Sequence, residues 1–132
     1  MKIFVDTNIF LDLILKREFF HEALVLFNGV EKKLFTGVVL DITLLNIDYV
    51  AKKQVQEIRE FIRLVNEHFI VVGASNEMVR EALALQGNDL EDNLQYTAAK
   101  EMECDCIVSN DAAFYAKDIP TLSSKVFVEE RL

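Results

Sequence analysis

Four aspartates carry the chemical interest of this 132-residue chain: Asp6, Asp89, Asp92 and Asp111. Asp6 interrupts the apolar KIFVDTNIFLD, where a lone buried carboxylate is costly unless it is neutralised or serves a partner. Asp111 follows a second apolar run, CIVSN. Asp89 and Asp92 stand three residues apart in NDLEDNLQY, at the start of a helical pattern, so they share a face, with Tyr96 a turn beyond Asp92. Glu91, turned about 100° from Asp92 on a helix, is expected to point elsewhere. Carboxylates gathered without Lys or Arg among them repel one another and raise each other's pKa. A bound Mg²⁺ or Mn²⁺ removes that conflict, because hard divalent cations favour carboxylate and water oxygens. An ion so held activates water and stabilises a phosphoryl transition state, which makes phosphodiester hydrolysis the reaction that suits these residues.

Each acid also has a purely structural reading. Asp89 is a natural N-cap, and acids near a helix N-terminus need no metal. Asp111 could begin the turn after its strand, and Asp6 could cap the first helix. Thr7 and Asn8 either orient Asp6 by hydrogen bonds or shape the turn. Asp12, one turn after Asn8, reads as a polar support rather than a ligand.

The elements that must position these residues follow from the apolar periodicity. Strands are expected at 3–5, within 34–40, at 69–72 and at 106–108, with a short edge strand at 119–122. Helices are expected over 8–16 with Asn8 as cap, 21–33, 41–53, 55–68, 76–85 and 90–103, with a final helix from Ser124. Strands rich in Val and Ile alternating with helices indicate one α/β domain over 1–132, a parallel sheet covered on both faces. In such sheets ligands bind beyond the carboxyl ends of the strands, near the topological switch point. Asp6 and Asp111 both leave the sheet at that edge.

Composition narrows the class. Hydrophobic residues make up 52% of the chain, with 1 proline and 4 glycines, which excludes disorder and collagen-like structure. Lys2 to Leu15 superficially resembles a signal peptide, but Asp6 and Asp12 interrupt it and no small-residue cleavage site follows. No apolar run approaches the ~20 residues of a membrane span, so a cytoplasmic protein is the expectation. The formal charge of −8 argues against a general basic nucleic-acid binder, but not against an enzyme whose acids hold cations. Cys104 and Cys106, at alternate positions expected to share a strand face, have no second Cys pair and read as core thiols rather than zinc ligands. Lys16, Arg17, Lys32, Lys33, Lys52, Lys53, Arg59 and Arg63 could contact phosphates or simply line solvated faces.

VDTNIFLD, TLLNIDYVAKK, DLEDNLQYTAAKEMECDCIVSND and IPTLSS together resemble PIN-domain proteins in order and spacing, over essentially the whole chain. The similarity is to the small bacterial VapC-like branch, with a first helix like LDLILKRE and an Asn-containing third-helix motif. The resemblance implies a Rossmann-like three-layer α/β/α sandwich and a Mg²⁺- or Mn²⁺-dependent ribonuclease. It further implies a toxin of a toxin–antitoxin pair, often dimeric, with RNA as substrate and an antitoxin as partner. Asp6 matches the first metal-binding acid, Asp92 the third with Asp89 beside it, and Asp111 the fourth. Ser109 stands where a hydroxyl residue commonly precedes the last acid. Asn46 is the departure: many PIN nucleases carry Glu there. Asp48 is rotated by about 200° from position 46, and Asp41 is on another face, so neither replaces it. Asn46 can offer a carbonyl oxygen or hold a water but supplies no charge. The alternative expectation is therefore a catalytically weak PIN domain that binds RNA or protein. An aspartyl phosphotransferase using Asp6 would need a second Asp where Asn8 stands.

Overall fold

A computed structural model describes residues 1–132. Five short strands carry the chain's densest apolar runs: β1 (Lys2–Val5), β2 (Thr36–Leu40), β3 (Ile70–Val72), β4 (Cys106–Val108) and β5 (Thr121–Leu122). Seven helices connect and follow them: α1 (Thr7–Ile14), α2 (Phe20–Glu31), α3 (Asp41–Ala51), α4 (Ile58–His68), α5 (Asn76–Ala84), α6 (Leu90–Glu101) and α7 (Ser124–Arg131). All strand pairs are parallel, in the order β3-β2-β1-β4-β5.

Side-chain alternation along the strands builds two cores. Phe4 is in register with Val38 on one side and Ile107 on the other, and this row packs against Met78 and Ala82 of α5 and Leu94, Ala98 and Ala99 of α6. Ile3, Val5, Val39, Cys106 and Val108 face the opposite way, into a core closed by α1, α2, α3, α4 and α7. Both faces of the sheet are covered, giving the expected three-layer α/β/α sandwich. Each fully buried Val, Leu or Phe contributes about 1.5–3 kcal/mol. Ion pairs matter far less: Arg63–Glu60 and His68–Glu31 are exposed or half-exposed, where solvent screens most of their attraction. No helix is long and apolar enough to cross a membrane.

Strand order runs outward from β1 through β2 to β3, then returns to β4 beside β1. The switch point therefore lies between the carboxyl ends of β1 and β4. The ladder continues into that crevice: the Asp6 N–H donates to the Val108 carbonyl at 3.1 Å, and the Ser109 N–H to the Leu122 carbonyl at 2.9 Å.

Boundaries differ from expectation where backbone bonds extend or cut an element. The first helix starts at Thr7, so Asp6 rather than Asn8 is the N-cap residue. It ends early because Lys16 takes a left-handed φ of 51°. α4 starts at Ile58 because Val55 is still tied to α3, donating its N–H to the Ala51 carbonyl at 2.8 Å. Cys104 and Cys106 do not share a face. Cys104 lies in the turn behind α6, next to Glu103 at φ 55°, so strand alternation does not reach it, and the two thiols enter opposite cores. Both are free and buried, and burial pushes the Cys104 thiol up to about 11.

Candidate active site

Asp6 is only 2% exposed, yet its side chain makes no capping bond to α1. Instead its Oδ1 accepts from Gln95 Nε2 at 2.9 Å and its Oδ2 from Ser109 Oγ at 2.8 Å. Ser109 Oγ in turn accepts the Asp111 N–H at 3.2 Å. One carboxylate thus ties together the ends of β1 and β4 and the middle of α6. Burial pushes the Asp6 carboxyl above its usual range and Asp111 adds repulsion, while the bonds from Gln95 and Ser109 pull the other way.

α6 presents its acids from its first turn. Asp89 caps the helix, its Oδ1 accepting the Asp92 N–H at 3.1 Å, and the same residue lines the cavity described below. Asp92 is pushed up to about 7, first by burial and then by Asp6, Asp89, Asp111 and Glu91.

Two expectations for this helix are corrected together. Glu91 does not point elsewhere: its Oε2 accepts from Asn46 Nδ2 at 2.8 Å and from Thr7 Oγ1 at 3.4 Å. Tyr96 does not join the acids: it is 2% exposed, donates its hydroxyl to Asp118, and packs edge-on to Tyr115 at 5.9 Å. Burial, then the Asp118 contact, pushes its hydroxyl up to about 12. The cavity-facing set from this helix is Asp89, Glu91 and Asp92, with Gln95 buried against Asp6 and Tyr96 turned away from the acids. Tyr96 is drawn into the α5–α6 core by its apolar ring, and that fixes the rotation. Gln95 is absent from the sequence expectations; the only local sign is its place one turn beyond Glu91, and its burial against Asp6 is visible only in the fold.

Asp6, Thr7, Asn8, Leu11, Asn46, Val50, Asp89, Glu91, Asp92 and Asp111 line one cavity of about 370 Å³. No Lys, Arg or His lines it. Thr7 is buried, its Oγ1 2.7 Å from Thr43 Oγ1, so its side chain supports Glu91 rather than orienting Asp6. Asn8 is exposed at the rim. Asp111 accepts the Ala113 N–H at 2.9 Å, shaping its own turn while facing the cavity. Asp12 lies outside this cavity, bonded by Asn110 Nδ2 at 3.2 Å with Arg17 4.0 Å away. Asp48 lines a separate groove between α3 and α4, together with Arg59 and Arg63. Arg17 borders a neighbouring cavity that shares Asn8 and Asp111 with this one.

The donor set is all oxygen, the chemistry Mg²⁺ and Mn²⁺ prefer. No three His, Cys, Asp or Glu side chains are grouped closely enough to enclose an ion directly. An ion there would be held by these acids largely through retained waters. Gln95 Oε1, buried beside Asp6, has no hydrogen-bond partner, so an unpaired acceptor lies behind the acids.

A family model described as PIN domain matches residues 2–113. Ribonuclease VapC1 of Aquifex aeolicus (strain VF5) is 28% identical over 138 aligned positions, spanning 97% of this chain and 94% of that protein. A toxin–antitoxin complex from Klebsiella pneumoniae contains a chain that superposes with a TM-score of 0.70 at 22% identity, over 92% of this chain and 97% of that one. VapBC2 from Rickettsia felis, bound to a DNA fragment from their promoter, superposes with a TM-score of 0.68 at 15% identity, over 93% and 98% respectively.

Proposed function

The chain belongs to the PIN-domain family, and on that premise we propose that it is a Mg²⁺- or Mn²⁺-dependent endoribonuclease, the toxin of a toxin–antitoxin pair. One observation carries the reading: carboxylates from β1, β4 and α6 share a cavity that contains no protein cation to neutralise them. The similarity to a ribonuclease VapC and to chains of toxin–antitoxin complexes supports it. Asp6, Asp92, Asp111 and Asp89 would hold the ion, with Asn46 available through its amide oxygen or a water. When bound, the ion supplies Lewis-acid activation of water and charge stabilisation at phosphoryl oxygens.

The chain's own residues do the rest. Gln95 and Ser109 fix both oxygens of Asp6, so its orientation is set before anything binds. Ser109 also anchors the Asp111 backbone, keeping the two acids in step. Asp92 holds its proton close to neutrality and must release it to bind a cation. Arg17, beside Asp12 in the adjoining cavity, would offer a cation to an RNA phosphate.

The test is cleavage of single-stranded RNA with Mg²⁺ or Mn²⁺. Activity should vanish with Asp6→Asn and in excess chelator; persistence under either condition rejects the reading. Exposed apolar side chains on α3, with Leu45 71% and Tyr49 78% exposed, support a protein partner, which we assign to a second copy of this chain or to the antitoxin. Light scattering on the purified protein, and loss of RNA cleavage on coexpression with the product of an adjacent short reading frame, check these two assignments.

Asn46 favours a second reading, a catalytically weak domain that binds RNA or protein. Calorimetry that detects no divalent-ion binding at millimolar concentration would select it.

A further inference from the structure

Glu91 is held where an ordinary surface glutamate in a first helical turn would not be. The dipole of α6 rewards an acid in that turn whichever way its side chain points. Nothing in that effect requires Asn46 of α3 and Thr7 of α1 both to reach for the same oxygen. Holding a Glu side chain in one rotamer gives up conformational freedom that a surface glutamate keeps. Here the restrained carboxylate also faces Asp6, Asp89, Asp92 and Asp111, all lining the same cavity. Thr7 is itself pinned by Thr43, so the cradle is rigid on two sides. Asn46 donates Nδ2 to Oε2 alone, and Oε1 takes no part in either bond. An acid at position 46 could not stand 2.8 Å from Glu91 without strong repulsion, whereas an amide donor there is attractive. The neutral residue on α3 and the acid on α6 therefore form one unit.

We propose that Glu91 is a fifth cation-facing carboxylate of the site, delivered from α6, and that Asn46 is its positioning residue. The inference rests on the metal-dependent reading given above. On this view the neutrality of Asn46 is not a deficit of the pocket: charge at that corner is supplied across the crevice.

The test is Mn²⁺ binding to the full chain, read from the loss of the free-ion paramagnetic resonance signal, with no RNA present. Glu91→Gln should weaken binding tenfold or more, and Asn46→Ala should weaken it several-fold by releasing the carboxylate. The double variant Asn46→Glu with Glu91→Gln, which moves the charge back to α3, should recover affinity to within a few-fold of the original. Asp48→Asn, which removes one charge from α3 outside the cavity, should change nothing. Thermal melting of each metal-free variant separates misfolding from lost binding, since removing Glu91's charge should not lower the midpoint. Unchanged affinity in Glu91→Gln, while Asp6→Asn loses the ion, overturns the role of Glu91 and leaves the metal-dependent reading standing. An equal loss in Asp48→Asn overturns it as well, reducing Glu91 to net charge. A wild-type chain that binds no Mn²⁺ overturns both.

Discussion

Asp92 has the most informative titration in the molecule, because burial and its neighbouring acids push it up to about 7, well above the ordinary aspartate value of 3.8. The folded protein keeps a proton there that the unfolded chain has already released. The favourable contribution of this group is therefore complete below about pH 4 and is lost as pH rises through about 7. The metal-free wild type should melt at progressively lower temperature from pH 4.5 to 7.5, and Asp92→Asn should flatten that decline; identical slopes would contradict the shift. A cation must displace the same proton, so Mn²⁺ affinity should rise roughly tenfold between pH 6 and pH 8. Ser109 makes a different prediction at this scale. Ser109→Ala leaves the buried Asp6 Oδ2 short of a donor and the part-buried Asp111 N–H short of an acceptor. Denaturant unfolding of the metal-free protein should register a loss of about 1–3 kcal/mol.

α6 shows how an element can be legible in extent and yet misread in orientation. Its span and its acidic first turn follow from periodicity and from Asp89 as a capping residue. Its rotation does not, because Tyr96 and Gln95 are both plausible inward residues until the α5–α6 core claims the aromatic ring. The two roles left open for Asp89 separate by substitution. Asn caps about as well as Asp, so Asp89→Asn should keep metal-free stability and weaken Mn²⁺ binding, whereas Asp89→Ala should also cost about 1 kcal/mol in thermal unfolding. Gly37 in β2 tests the scaffold without touching the site: a Cβ there would sit 2.6 Å from the Phe69 ring, which packs against Phe10 and Phe27. Gly37→Ala should destabilise by about 1–3 kcal/mol, measured by urea unfolding, because the ring must shift within a filled core.

On the scale of the whole molecule, net charge −8 and a cavity rich in carboxylates mean that divalent ions should stabilise the fold. A ligand at 100 times its dissociation constant adds about 2.7 kcal/mol, equivalent to several degrees in melting temperature for a chain of this size. Saturating Mn²⁺ should raise the wild-type midpoint by that order, chelator should reverse it, and Asp6→Asn should show neither change. The acids come from positions more than a hundred residues apart, Asp6 and Asp111, so such stabilisation reports on the closed crevice rather than on any single segment.

The sequence by itself determined the alternation of strands and helices, the parallel sheet, and the crevice edge where Asp6 and Asp111 emerge. It could do so because apolar periodicity and strand-end position are local properties, set by neighbours within a turn or a pleat. Only the tertiary structure decided which way α6 faces, that Gln95 and Ser109 hold Asp6, and that Glu91 meets Asn46 across 45 positions of chain. Those outcomes depend on which side chains win space in a shared core and which polar groups must then be paired at its edge. That competition exists only once the elements are packed together.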